Sequence, residues 1–490
     1  MSETQKREPE ELGQVKQIRK MSADFDGWYT DVIRKAEMAD YTPVAGSIVL
    51  RPYGMGVWQG IQRAFDDIIA ESGHENWYFP LLIPEELLMK EAEHIEGFAP
   101  EVAWVTRGGK SELDRPLAIR PTSETIIGTI IRRYIQSYRD LPLLTNQWCN
   151  VVRWEMRTRL FLRSREFLWQ EGHTFHATTA EAEEEVLTIL EAYRTIAEDW
   201  LAIPSIKGRK SDEEKFAGAV YTTSIESMMR DGLALQAGTS HYFGQNFTQA
   251  YDINFTNHEN RKEHAYSTSW GMSWRLIGGL VMAHGDDNGL VMPPRIAPVQ
   301  VAVIPIFRDE DGREGVRRFL EPVAASLKAA KIRHKVDWRD VRPGDKYAHW
   351  EVRGVPFRIE VGMRDVETGQ VVLVDRMTRE KRSVPVHGLA ELLAVQLERF
   401  QGDLFARAET FRDEHTIRPT TWAEFEAFYR AGNGFAWAPW CARTSCELEI
   451  KEKLGVTTRN QPFVVEGEFG DRCIHCDQPS ETVVIFARAY

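Results

Sequence analysis

The stretch from Asn146 to His173 reads N-Q-W-C-N-V-V-R-W-E-M-R-T-R-L-F-L-R-S-R-E-F-L-W-Q-E-G-H. It concentrates residue types that suit a nucleotide and a small zwitterion. Arg153 offers a planar fork of donors to a phosphate. Glu155 and Glu171 offer carboxylates to an amine, and Phe167 and Trp169 offer rings to a base. Arg153 and Glu155 stand two residues apart, as do Glu171 and His173. On a strand that spacing puts each pair on one face. Five arginines fall between Arg153 and Arg165, so the segment between the two pairs is strongly positive. An Arg-x-Glu pair alone is ordinarily a solvated surface pair of little energetic weight. A chemical role therefore needs support from elsewhere in the chain.

Three other segments supply it. Pro121-Thr122-Ser123-Glu124 opens a helical pattern. Thr122 or Ser123 suits an N-cap, and Glu124 suits the positive end of the helix; the functional alternative is that Thr122 and Glu124 receive a substrate amine. Q-A-G-T-S-H places Gln236, Thr239 and His241 in what reads as a glycine-containing turn. A single histidine there is often structural. In S-W-G-M-S-W-R the pattern reads as a strand, a break at Gly271 and a helix from about Ser273. Arg275 then lies in the first helical turn, where a cation is unfavourable unless an anion sits nearby. Phe98, Glu101 and Phe216 lie in glycine-containing segments and could line a pocket or anchor their loops.

Positioning these groups takes a particular set of elements. Trp148, Val151 and Val152 favour a strand, as do Phe167, Leu168 and Trp169. The two make an antiparallel hairpin around the arginine-rich loop. Val57, Trp58, Ile61, Ala64, Phe65, Ile68 and Ile69 fall at helical spacing, with Gly73 as a stop. A strand ending in Trp77-Tyr78-Phe79-Pro80 follows. A helix and strand of this kind form either a subunit contact or an internal layer. Thr178-x-x-Glu181 is a capping box ahead of a helix reaching about Leu201. Beyond a proline-rich connector at 293–298, strands alternate with helices, which implies an α/β unit with a parallel or mixed sheet.

At 490 residues the chain is long enough for about three domains. Hydrophobic residues at 43% and charged residues at 27% describe an ordinary soluble protein, and no apolar run is long enough to span a membrane. The polar opening lacks a secretory signal, so the expected compartment is cytoplasmic, with residues 1–20 a disordered lead-in. A net charge of −12 argues against a general nucleic-acid coater but leaves room for a local basic face. Five cysteines are too few for a disulfide scaffold. Cys441 and Cys446, with Cys473 and Cys476, suit a closed tetrahedral Zn²⁺ site; unpaired thiols are the alternative.

R-P-T-S-E-T, N-Q-W-C-N-V-V-R-W-E, R-E-F-L-W-Q-E-G-H, Q-A-G-T-S-H and S-W-G-M-S-W-R together resemble the prolyl-tRNA synthetases. Their order and spacing resemble the archaeal/eukaryote-like type of this class II family, over about Asp24 to Tyr490. The resemblance implies an α+β catalytic domain with an antiparallel sheet at 21–292, a linker at 293–298, an α/β anticodon-binding domain at 299–404 and a small α/β zinc-binding domain at 405–490. It implies ATP-dependent formation of prolyl-adenylate and transfer of proline to tRNA(Pro). A synthetase-like tRNA-binding or regulatory protein without that activity is the alternative.

By the same resemblance, Arg153 and Arg275 act in catalysis. Thr122, Glu124, Arg153, Trp169, Glu171, Phe216, His241, Phe98 and Glu101 hold L-proline. Arg153, Glu155, Arg163, Ser164, Phe167, Gln236, Thr239 and Arg275 hold ATP, with Mg²⁺ on its outer phosphates. The segment ending in Pro80 resembles motif 1, which implies a homodimer. Zinc on the four cysteines would be structural. The tail ending in Tyr490 would pack toward the catalytic domain. Lys346, Glu351, Arg358 and Glu360 are candidates for anticodon contact. Arg153 through Phe167 resembles motif 2 and Gly271 to Arg275 resembles motif 3, and only about a hundred residues separate them, so no editing insertion is expected.

Overall fold

The structure, a computed structural model, describes residues 18–94 and 102–490. Phe98, Glu101 and residues 1–17 of the expected lead-in lie outside them. The remainder of that lead-in belongs to the fold: Ile18 packs on the main core, and Arg19 is paired with Asp24 and Asp31.

The molecule is built on an 11-stranded sheet. Its catalytic portion runs Glu75–Asn76, Leu143–Val152, Glu166–His176, Tyr266–Ser273, Ala234–Gly244, Tyr221–Met228 and Ile206–Arg209. All neighbours here are antiparallel except the short Glu75–Asn76 edge, which is parallel to Leu143–Val152. The helices Phe25–Lys35, Pro52–Glu71, Thr179–Thr195 and Arg275–His284 bury apolar residues in one core with Trp270 and Met272. Strand periodicity then turns the alternate residues Ser269, Gly271 and Ser273 to the opposite face, where the pocket lies. The Thr178–Glu181 capping box starts the Thr179–Thr195 helix as its spacing predicts.

Several local expectations are corrected. Gly271 does not break its strand, which is continuous from Tyr266 to Ser273. Gln236, Thr239 and His241 stand on the Ala234–Gly244 strand rather than in a turn. Their segment carries glycine and small polar residues because it crosses the floor of a site, which imitates turn composition. Trp77–Pro80 is not a strand; the paired residues are Glu75–Asn76 and Leu82–Pro84 on either side. The sequence pattern after Pro121 runs at helical spacing through Ile126, Ile127, Ile130, Ile131, Tyr134 and Tyr138, but the helix ends at Ile131, so the two tyrosines lie beyond it.

The α/β unit has five strands in the order His334–Val336, Val301–Pro305, Phe357–Val361, Gln370–Asp375, Lys381–Pro385. The first three are mutually parallel and the rest antiparallel, the mixed sheet that the alternation implies. Glu310–Ala329 and Leu389–Glu414 pack on it. The second of these helices runs unbroken across the expected boundary at 404/405. The 293–298 connector is packed rather than loose, with Ile296 and Ala297 buried in the main core.

The C-terminal strands Thr416–Ile417, Phe435–Trp440, Thr482–Ala487 and Thr457–Pro462 continue the catalytic sheet. The join is antiparallel, Gln461 opposite Arg209 and Pro462 opposite Gly208. A Cβ on Gly208 would stand 2.3 Å from the Gln461 carbonyl oxygen, so glycine permits the close approach. Among the described residues no helix is long and apolar enough to cross a membrane.

Candidate active site

Strand register assembles the site. Across the sheet Thr222 stands opposite His241, His241 opposite Ser269, and Ser269 opposite His173. A second row places Thr239 opposite Gly271 and Gly271 opposite Glu171. Side chains in a row share a face. Residues separated by up to 153 positions, Thr122 to Arg275, therefore converge on a cavity of about 240 Å³, and Gly271 keeps the floor low between Thr239 and Glu171.

Glu171 is fully engaged. It accepts from Ser123 N (3.1 Å), Gln147 Nε2 (2.6 Å) and the Ser123 hydroxyl, and pairs with His173 Nε2 at 3.1 Å. Burial alone would raise its pKa, but the bonds from His173, Ser123 and Gln147 hold it below the ordinary range. Against its own burial, His173 is raised by the same contact. Ser123 occupies the N-cap position of the Glu124–Ile131 helix, yet its side chain serves Glu171 instead of the helix end. Glu124 is different. It is buried and bonded only to the Thr122 hydroxyl among the described residues, which leaves acceptor capacity for an amine.

Arg153 and Glu155 do not share a strand face, since the strand ends at Val152. Arg153 turns inward at the mouth of the loop. Its Nε donates to the Pro121 carbonyl at 2.9 Å, and its guanidinium lies 5.5 Å from the Phe167 ring and 5.2 Å from the Trp169 ring. No carboxylate lies within 4.0 Å of it among the described residues, so its remaining donors face the cavity. Burial lowers its pKa, partly opposed by Glu124, Glu171 and Glu155. Arg275 begins the Arg275–His284 helix, and its Nε donates to the Leu162 carbonyl at 3.2 Å. Burial and the like charges of Arg163 and Arg153 push it down to about 10. Among the described residues Arg163 pairs only with Glu155, at 3.9 Å. Mutual repulsion among these three cations costs energy that an anion between them would remove.

The remaining candidates fall around this frame. Phe216 lies 4.8 Å from the His241 ring. His241 pairs through Nδ1 with the Thr222 hydroxyl at 2.9 Å and is pushed down to about 3, by burial first and then by His173, Arg153 and Lys210. It is a neutral imidazole. Gln236 and Thr239 line the floor. Ser164 is buried on the loop, and its hydroxyl has no partner among the described residues. Lys210, Glu214 and Thr222, which sequence reasoning missed, also line the cavity, as does His173. The period-two run Thr222, Ser224, Glu226 was the available signal: a polar face on an otherwise buried strand.

In the α/β unit, Arg358 pairs with Glu360 at 2.8 Å and Lys381 with Glu360 at 3.2 Å. Lys346 is buried on the Asp337 carbonyl at 2.9 Å. Arg358 and Glu351 line a second cavity with Arg376, Arg379 and Lys381. At the far end of the long sheet, the thiols of Cys441, Cys446, Cys473 and Cys476 converge within 4.8 Å of one another. Cys446 and Cys473 sulfurs are 3.7 Å apart, and Cys441 and Cys476 sulfurs 3.5 Å. Ligand bonds of about 2.3 Å in a tetrahedron place thiolates about 3.8 Å apart, so the four fit Zn²⁺.

A hairpin of this kind within an antiparallel sheet, with an arginine at the start of the helix that follows the Tyr266–Ser273 strand, belongs to class II synthetases. Residues 104–284 match the family described as tRNA synthetase class II core domain (G, H, P, S and T), and residues 300–396 match the anticodon binding domain. Residues 422–490 match the family described as prolyl-tRNA synthetase, C-terminal. The chain is similar to "Proline--tRNA ligase" of Symbiobacterium thermophilum, 50% identical over 98% of this chain and 100% of the relative. It is similar to "Proline--tRNA ligase 2" of Bacillus cereus, 48% identical over 97% of this chain and 99% of the relative. A crystal structure of prolyl-tRNA synthetase from Cryptosporidium parvum, complexed with halofuginone and AMPPNP, superposes with a TM-score of 0.93 at 42% identity, covering 97% of this chain and 99% of that one. The chain belongs to the prolyl-tRNA synthetase family.

Proposed function

We infer that this chain attaches L-proline to tRNA(Pro) in two steps. Proline and ATP first give prolyl-adenylate and pyrophosphate; the terminal ribose of the tRNA then takes the prolyl group. The observation that carries the reading is the polarity of the cavity. One end holds a buried carboxylate, Glu124, with spare acceptor capacity; the other holds Arg275, on which Arg163 acts, and Arg153 lies between them.

The secondary ammonium of proline meets Glu124 and the Thr122 hydroxyl, with the ring against Trp169, Phe216 and His241. A neutral imidazole suits an apolar ring. Glu171 cannot take the amine as well, since its oxygens are committed to Ser123, Gln147 and His173. It fixes the Thr122–Glu124 segment through Ser123.

Arg153 stands between the two ends. It orients the proline carboxylate for in-line attack on the α-phosphorus and stabilises the charge that develops there. Phe167 stacks on adenine, while Gln236 and Thr239 meet the nucleotide from the floor. Glu155, Arg163, Ser164 and Arg275 surround the rest of it. Mg²⁺ neutralises the outer phosphates when bound. The AMPPNP named for the Cryptosporidium parvum structure supports ATP as the substrate here.

The four-cysteine cluster would hold Zn²⁺ with no open position, a structural role. A homodimer through the motif 1 segment is supported by the exposed apolar residues Tyr78, Leu82 and Tyr134 near the Glu75–Asn76 sheet edge. The setting is cytoplasmic, where the tRNA is. The test is exchange of labelled pyrophosphate into ATP with each of the twenty amino acids. Dependence on proline supports the assignment; exchange with another amino acid and none with proline overturns it.

A further inference from the structure

Lys210 enters the cavity from the end of the Ile206–Arg209 strand, beside Thr222 and His241. Its backbone N–H donates to the Thr222 carbonyl at 2.8 Å, which ties it to the residue that holds His241. Its ammonium donates to Glu226 Oε1 at 2.7 Å. Glu226 is wholly buried, and its other oxygen pairs with Arg459 Nε at 3.2 Å. Arg459 belongs to the Thr457–Pro462 strand of the C-terminal domain and is itself buried.

We propose that Arg459 is a positioning residue for the amino-acid end of the active site, acting through Glu226 on Lys210. This rests on the reading that proline occupies the end of the cavity near His241 and Phe216.

Two cations share one carboxylate, so the triad carries one net positive charge, and Lys210 is the member that faces the cavity. With Arg459 present, Glu226 divides its hydrogen bonds between two partners, and a Ser224 hydroxyl adds a third at 3.2 Å. Without Arg459, Lys210 is the one cation left in direct contact with Glu226 among the described residues, Arg275 acting on it only at longer range. The ammonium is then drawn back and its field in the cavity is neutralised. The bound carboxylate of proline loses a cation that acts through a medium of low dielectric.

The join around the triad is rigid. Asn460 Nδ2 donates to the Ile206 carbonyl at 2.9 Å. Ser211, next to Lys210, bonds Glu447 at 3.2 Å and meets Thr458 at 3.1 Å. The C-terminal domain therefore fixes the segment on either side of Lys210 as well as its carboxylate partner. Buried ion triads of this kind give little net stability, so a role in placing a charge is the better account of one beside a substrate cavity.

The test is steady-state pyrophosphate exchange on the full chain carrying Arg459→Ala, Arg459→Lys, Lys210→Ala and the double change Lys210→Ala with Arg459→Ala. Thermal unfolding follows each variant. Arg459→Ala is expected to raise KM for proline about tenfold, with kcat and KM for ATP within about twofold. Arg459→Lys restores KM to within about threefold of the wild type, since a cation again shares Glu226. On the Lys210→Ala background, Arg459→Ala adds less than about twofold, because the route it acts through is already gone. Unchanged KM for proline in a folded Arg459→Ala protein overturns the proposal. So does a full additional effect in the double variant, or an Arg459→Lys protein as impaired as Arg459→Ala. If Arg459→Ala does not fold, Lys210→Ala decides: it is expected to raise KM for proline about tenfold, and an unchanged KM for proline in that folded variant overturns the proposal. A wild-type chain without proline-dependent exchange would sink the underlying reading instead.

Discussion

Replacing Arg153 by alanine separates function from stability, and the structure gives the size of both effects. On the proposed reading the side chain serves two anions in catalysis, the attacking carboxylate and the α-phosphate. Loss of one preorganised donor to a developing oxyanion costs about 10²–10³ in rate. Loss of a fork that serves two groups should cost about 10⁴ in kcat/KM, about 5 kcal/mol of transition-state stabilisation. The fold should lose far less. Arg153 keeps one hydrogen bond, to the Pro121 carbonyl, and two ring contacts. Those contacts are worth about 1–3 kcal/mol together, and release of a buried cation offsets part of them. The remaining cost is repulsion between Glu124 and Glu171 once the shared cation is gone. The assay is proline-dependent pyrophosphate exchange beside a thermal melt. Arg153→Ala should be folded and nearly inactive. Arg153→Lys, with charge but no fork, should lie between, about 10²-fold down. Exchange within about tenfold of wild type in a folded Arg153→Ala protein would refute the bridging role.

His176, His241 and His284 are held by burial at about 4, 3 and 3, so each stays neutral while the unfolded chain takes up a proton below its ordinary 6.5. Their contribution is complete above pH 6.5 and falls as the pH drops toward 4 and 3; His173, raised by Glu171, acts oppositely and loses its part as pH rises through its folded value. Denaturant titrations should show stability falling between about pH 6.5 and 5 by about 2 kcal/mol per buried neutral histidine, and a flat profile would contradict the burial argument. Cys446→Ser should lower bound zinc below one per chain and lower the melting temperature, read by elemental analysis and calorimetry; stoichiometric zinc in that variant would remove Cys446 from the ligand set. Alanine lacks part of the proline ring but fits the same cavity, and a lost methylene discriminates by only about 1–3 kcal/mol. Alanyl-tRNA(Pro) should therefore persist when incubated with the enzyme, and rapid hydrolysis would reveal a clearing activity.

The site was legible wherever chemistry and local sequence coincide. Arg275 at the start of a helix is a local electrostatic misfit that points to an anion, and the structure sets two further cations, Arg163 and Arg153, beside it. Ser123 shows where local rules mislead. It stands at the N-cap, yet gives its hydroxyl to Glu171, whose strand lies far off in sequence. Tertiary satisfaction of a buried carboxylate outweighs one cap bond. Glycine misled twice. Gly271 and Gly238 read as breaks because glycine has no side chain; both lie in strands, where Gly238 leaves room for the Tyr193 ring and Gly271 lowers the floor. Arg153 and Glu155 were given a shared face by a period that stops at Val152.

What no local pattern could show is that the last strands of the chain extend the catalytic sheet. Register across Gln461 and Arg209 is a long-range choice made by packing, not by composition. Its consequence reaches the chemistry. The strand that bonds to Ile206–Arg209 brings Arg459 to Glu226, and Glu226 holds Lys210 at the cavity. The final Tyr490 closes the same interface from the other side, donating its backbone N–H to the Ala234 carbonyl at 3.2 Å and bonding Asp231 through its hydroxyl. Its ring also meets the Arg159 guanidinium at 5.1 Å, on the very loop that carries Arg163 and Ser164. The C-terminal domain thus contacts two segments next to the cavity, Glu226 beside Lys210 and the arginine-rich loop through Arg159. A domain attached only for tRNA contact would need neither connection.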